Sequence, residues 1–181
     1  MCFFMCYNVS MGKEKYYVFL DIDGVLWDWK WRISEVKNGR VRGGGIVSDF
    51  NPASVGALNN LIETLSDNYD VRLVVSSTWR ISMGLTEKAL RKNGVIIPND
   101  VLDRTPLTVR RGARGEEIIA YLYDKENRSN YVIIDDEEFD YETYFKKSSI
   151  IKTDIYLGAL EQGMVDDWLK NNNLLDSPTN E

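Results

Sequence analysis

The chain has 181 residues, 44% apolar and 28% charged, enough to build one buried core and too apolar for global disorder. No apolar run approaches the ~18–20 residues of a membrane span, and 22 Lys plus Arg against 28 Asp plus Glu give a net charge of -6, which excludes a broadly basic nucleic-acid coat but not a local basic groove. There is no histidine, and the only cysteines are Cys2 and Cys6, which excludes Ser-His-Asp and Cys-His catalysis, a zinc-thiolate site and a disulfide framework. An acid, base or nucleophile must then come from carboxylates, lysines, hydroxyls or a metal-bound water. Any metal would sit among oxygen ligands, which points to magnesium or a similar hard cation.

Residues 1–12 read as a tail. MCFFMCYNVS is apolar but lacks the basic lead and the length of a signal segment, and Met11 offers a second start. Tyr16 stands where a myristoylation motif after Met11-Gly12 would need Ser or Thr, so a cytoplasmic setting is the default. YYVFL, residues 16–20, predicts a buried parallel strand ending at Asp21. WDWKWRISEVKNGRVRGGGIVS, residues 27–48, carries Asn38-Gly39 between alternating residues and predicts a β-hairpin flap, with Gly43, Gly44 and Gly45 in its return. Asn51-Pro52 open a helix with Val55, Leu58, Leu61, Ile62 and Leu65 on its buried face. VRLVV, residues 71–75, predicts a second strand ending at Ser76 and Ser77. A helix from Thr86 and Glu87 to near Gly94 and a third strand at residues 95–97 follow. An amphipathic helix at 116–123 leads to YVII, residues 131–134, a fourth strand ending at Asp135 and Asp136. A fifth strand at 149–152 and a last helix at 160–169 precede the tail DSPTNE, residues 176–181.

Strands and helices alternate, so the pattern predicts an α/β domain over residues 13–175, a parallel sheet covered on both faces. The polar signals follow strand C-terminal ends, and in such a sheet those ends converge on one crevice. In DIDGVL, residues 21–26, a carboxylate at a strand end can act as nucleophile once a cation neutralises an incoming phosphate. A second carboxylate two residues on can serve as acid and then as base, and Gly24 permits a sharp turn between.

DIDGVL resembles the signature of the haloacid dehalogenase (HAD) superfamily of phosphotransferases, and later segments follow that superfamily's order over roughly residues 14–173. The resemblance implies a Rossmannoid three-layer sandwich. It also implies that Asp21 forms an aspartyl-phosphate, that Asp23 is the acid/base and that the Asp23 main-chain carbonyl meets the metal. Ser76, in LVVSSTWR, matches the second motif, where a hydroxyl and backbone N–H groups hold phosphoryl oxygens, with Ser77 the adjacent alternative. The cation of the third motif lies among Arg110, Arg111 and Arg114. Arg114 is chosen because it directly precedes a helix opening, and a guanidinium fork suits phosphate oxygens. In IIDDEEFD, adjacent carboxylates at a buried strand end repel unless a cation binds. The resemblance makes Asp136 the first magnesium ligand, Asp135 the next, and Asp140 a more distant support. SSTWR, the TP and RG-x-EI pairings, IIDD and a late KTD are similar to small HAD domains of RNA-repair and phage proteins and to polynucleotide phosphatase domains.

On the substrate side, Trp27, Trp29 and Trp31 recur at period two, and on an extended strand they share one face. Such indoles either stack on bases beside a phosphate site or pack the flap onto the core. Lys30, Arg32, Lys37, Arg40 and Arg42 interleave with them, and Trp79-Arg80 lies near the same crevice. Ser77, Gly24, Trp29 and Arg80 are the expected substrate contacts. The sequence therefore predicts a magnesium-dependent phosphatase acting on a nucleotide or a phosphorylated nucleic-acid end. A small-molecule phosphatase, a non-catalytic phosphate-binding module and a phospho-acceptor receiver domain are the alternatives. The last is disfavoured because the DxD follows the first strand rather than a middle one.

Overall fold

A computed structural model describes residues 12–40, 49–108 and 112–175. Five strands form one sheet: β1 (Lys15–Leu20), β2 (Asp70–Val75), β3 (Leu102–Arg104), β4 (Tyr131–Asp135) and β5 (Ile150–Lys152). Their order is β3-β2-β1-β4-β5 and every pairing is parallel. The six described α-helices are α1 (Trp29–Lys37), α2 (Pro52–Ser66), α3 (Met83–Lys92), α4 (Arg114–Leu122), α5 (Tyr141–Tyr144) and α6 (Gln162–Asn171). None of them is long and apolar enough to cross a membrane.

The period of two in β1 splits its side chains between two cores. Tyr16, Val18 and Leu20 meet α2, α3 and α6 through Leu58, Leu61, Leu90, Val165 and Leu169. Tyr17 and Phe19 point the other way, onto Ile118, Tyr121 and Leu122 of α4 and onto Tyr141. The result is the expected three-layer sandwich, with β1 central because both of its faces are covered. Asn51 caps α2 by accepting from the Ala53 N–H at 3.0 Å, with Pro52 as first helical residue.

The predicted β-hairpin flap is corrected. Residues 29–37 form a helix, not a strand. Asp28 caps it, its Oδ1 accepting from the Trp31 N–H at 2.8 Å. Asn38-Gly39 ends it: Gly39 takes φ +69°, its N–H donates to Val36 O at 3.1 Å, and the Arg40 N–H donates to Glu35 O at 2.9 Å. That pair of bonds is a Schellman closure, for which a left-handed glycine serves as well as for a hairpin turn. The glycines at 43–45 expected in the flap's return lie outside the described residues, as do both predicted tails apart from Gly12. The three tryptophans do not share one face: Trp27, ahead of α1, is buried, while on the helix Trp31 is half-buried against the core and Trp29 is exposed.

The third strand is also corrected, to Leu102–Arg104. Residues 95–97 are not a strand, although Val95 and Ile97 enter the core. The sheet instead pairs Leu73 with Leu102 and Val75 with Arg104. The helix predicted from Thr86 begins at Met83, because the Thr86 hydroxyl donates back to Trp79 O at 2.7 Å rather than capping a start.

Candidate active site

One hydrogen bond beyond each strand end carries the sheet's register into the loops. The Asp21 N–H donates to Ile134 O at 3.0 Å, and the Ser76 N–H donates to Leu20 O at 3.0 Å. Asp21, Ser76 and Asp135 therefore stand side by side at the C-terminal edge. The chain builds β1, β2 and β3 to one side and then β4 and β5 to the other, so the crevice between β1 and β4 is where open sheets place ligands.

Three carboxylates, Asp21, Asp135 and Asp136, bring oxygens within 4.8 Å of one another there. Arg114, at the start of α4, lies among them, one Nη donating to Asp21 Oδ1 at 2.9 Å and to Asp135 Oδ2 at 3.0 Å. Burial opposes its charge, but Asp135 and Asp21 outweigh that and hold it protonated. Phe139 covers the guanidinium at 4.6 Å. Asp135 is bonded through both oxygens: Oδ2 also accepts from the Tyr141 hydroxyl at 2.6 Å, and Oδ1 accepts from the Glu137 N–H at 2.9 Å. Burial, with Asp135 close by, pushes Asp21 up to about 7. Burial, with Asp21 close by, pushes Asp136 up to about 6. Such a cluster favours a bound proton or a cation, and an all-oxygen donor set fits a hard divalent ion.

Residues 17–162 match a family described as the HAD domain in Swiss Army Knife RNA repair proteins. The chain belongs to this family. No curated protein and no solved structure matches it.

The expected residues of this HAD domain fall into two groups. Asp21, Asp135, Asp136, Arg114 and Ser76 converge on the crevice. Ser76 Oγ is buried and has no hydrogen-bond partner among the described residues, whereas Ser77 Oγ accepts from the Trp79 N–H as a cap. The two serines thus differ in bonding, Ser77 acting as a cap and Ser76 not. Arg110 and Arg111 lie outside the described residues; among the described residues Arg114 bonds Asp21.

Others are placed differently from expectation. Arg80 is only 4% exposed; it pairs with Glu117 and donates to the carbonyls of Ser76 and Ser77, so it braces the Ser76 turn rather than facing a substrate. Asp140 accepts from the Gly115 N–H at 2.6 Å and from the Glu116 N–H, which orients the start of α4 and hence Arg114. Gly24, expected as a substrate contact, lies directly against Asp136. Its φ is +76°, and a Cβ there would lie 2.5 Å from Asp136 Cγ. Gly24→Ala should therefore lower Tm by ~4–8 °C, from ~2 kcal/mol of left-handed strain and clash. An unchanged thermal melt would contradict this placement.

Trp27 and Trp79 were expected near the crevice, but their contacts were not foreseen. Trp27 Nε1 donates to Asp23 Oδ1 at 2.9 Å, and Trp79 Nε1 donates to Asp23 Oδ1 at 3.2 Å and Oδ2 at 3.1 Å. Tyr141 and Glu117 were missed as well. Nothing in a linear sequence marks a tyrosine as the partner of a carboxylate on another element.

Proposed function

We propose that this HAD domain is a magnesium-dependent phosphatase that forms an aspartyl-phosphate on Asp21. The observation that carries this reading is the meeting of Asp21, Arg114, Asp135 and Asp136 at one strand edge, with Asp23 two residues beyond the nucleophile. Asp21 and Asp136 would hold the metal, with Asp135 behind them and the Asp23 main-chain carbonyl completing the protein's share. Magnesium there would neutralise the incoming phosphate so that a carboxylate can approach it.

Asp21 attacks phosphorus in line. The bond from phosphorus to the leaving oxygen breaks, and that oxygen takes a proton from Asp23. Asp23, now a carboxylate, takes a proton from water as the water oxygen attacks phosphorus. Inorganic phosphate departs and Asp21 is restored. Arg114 and the unpartnered Ser76 hydroxyl steady the phosphoryl oxygens, where fixed donors count most.

The substrate reading is a nucleotide or a phosphorylated nucleic-acid end. The family's description supports it, and so does Trp29, 43% exposed at the start of α1 with its ring edge-on to Trp27 at 5.4 Å. Lys30, Lys37 and Arg40 are exposed on the same helix and its closing turn. We also place the protein in the cytoplasm, because two cysteines four positions apart make no disulfide framework.

Phosphate release with magnesium from nucleotides and from 3'- and 5'-phosphorylated DNA and RNA tests this reading. Turnover of mononucleotides without turnover of the ends would favour the small-molecule alternative. Trp29→Ala should weaken oligonucleotide binding by ~1–3 kcal/mol while leaving aryl-phosphate hydrolysis near wild type. Equal loss of both would assign the ring to packing.

A further inference from the structure

Asp23 is held by two indoles, one just before α1 and one in the turn after β2. A carboxylate offers about four lone-pair sites, two on each oxygen. Oδ1 accepts from both Trp27 and Trp79, and Oδ2 accepts from Trp79 alone. One lone pair, on Oδ2, is left over. Indole N–H groups donate and never accept, so neither ring can take a proton from Asp23.

Both rings are fixed before any substrate arrives. Trp27 is 5% exposed, stacked edge-on against Trp29 and covered by the Arg32 guanidinium at 5.9 Å. Trp79 packs on Phe50 at 5.9 Å, its N–H is capped by Ser77, and its carbonyl accepts from Thr86. Side chains held this way can keep a reacting group in place at no further entropic cost during the reaction.

We propose that Trp27 and Trp79 are positioning residues that clamp Asp23 and leave Oδ2 as the oxygen that exchanges the proton with the leaving group and then with water. This rests on the phosphatase reading. In the first step the Asp23 Oδ2–H bond breaks as the leaving oxygen–hydrogen bond forms; in the second, water returns a proton to Oδ2. Trp79's single N–H spans both oxygens and is the donor that touches Oδ2, so its loss frees the reacting oxygen, whereas loss of Trp27 frees only Oδ1.

The test compares kcat/KM, which reports on formation of the aspartyl-phosphate, for an alkyl phosphate and for 4-nitrophenyl phosphate. An alkoxide leaves only with a proton; a nitrophenolate leaves without one. Trp79→Phe should lower the alkyl value by at least ~10²-fold while the nitrophenyl value stays near wild type. Trp27→Phe should do the same less strongly. Trp168→Phe, which removes an indole bonded to Ser148 O on α6, should move neither. Equal loss on both substrates, or loss on neither, overturns the clamp. Should a Phe variant not fold, the indole N–H resonances of the intact chain supply the second measurement. Asp23→Asn should shift the Trp27 and Trp79 signals and leave Trp168 in place; unmoved signals overturn the contact. A wild-type protein that releases phosphate from neither substrate overturns the phosphatase reading and the clamp's part in proton transfer together. Failure with an active wild type falls on the clamp alone.

Discussion

Asp21→Asn should abolish magnesium-dependent phosphate release from an aryl phosphate, a fall of ~10⁴-fold or more, without unfolding the chain. Loss of a covalent nucleophile removes the reaction path and not merely one stabilising contact. The amide keeps the shape of the carboxyl, so Arg114 and the sheet edge stay in place. Stability supplies an independent check. Asp21 is pushed up to about 7 in the folded chain, above its ordinary value of 3.8. A raised folded value means that Asp21's contribution is complete below about pH 4 and is lost as pH rises through about 7. Without magnesium, Asp21→Asn should therefore melt above wild type at pH 8 and close to it at pH 4. An inactive variant that melts well below wild type at pH 8 would show a folding defect, and undiminished turnover would remove the covalent mechanism.

Arg114→Met carries the second large effect. The methionine keeps much of the length but leaves Asp21 and Asp135 without their shared cation. Removing one partner of a buried pair costs about 3–5 kcal/mol, which in a chain of this size lowers Tm by ~6–20 °C. The loss should be largest at pH 8, where the carboxylates are charged, and should shrink at pH 5, where Asp21 and Asp136 can take up protons. Added magnesium should recover part of it, by binding the folded state alone. A melting difference that is the same at both pH values would mean that the guanidinium acts by packing rather than by charge.

Much of the site was legible in the sequence because it depends on local pattern. A five-residue apolar run before Asp21, and a four-residue one before Asp135-Asp136, each mark a buried strand and its polar exit, and a parallel sheet brings such exits together. The flap was misread for an equally local reason. Asn38-Gly39 suits a hairpin turn and a helix end alike, and the period-two tryptophans suggested a strand. The deciding residue was Asp28, whose capping role shows only once the Trp31 N–H is seen to face it. The third strand was misplaced because Leu102–Arg104 is short and has one apolar residue, so its pairing with β2, not its composition, makes it a strand. The partners of Asp23, Arg80 and Asp135 come from other elements, and no spacing rule reaches across them.

Asp28 has a second bond, its Oδ2 accepting from the buried Ala159 N–H at 3.1 Å, while the Trp29 N–H donates to Ile155 O at 2.8 Å. The entry to α1 is thereby tied to the chain segment that follows β5. The start of α1 and the segment after β5 are thus riveted into one unit, and a displacement of either would be carried into the other.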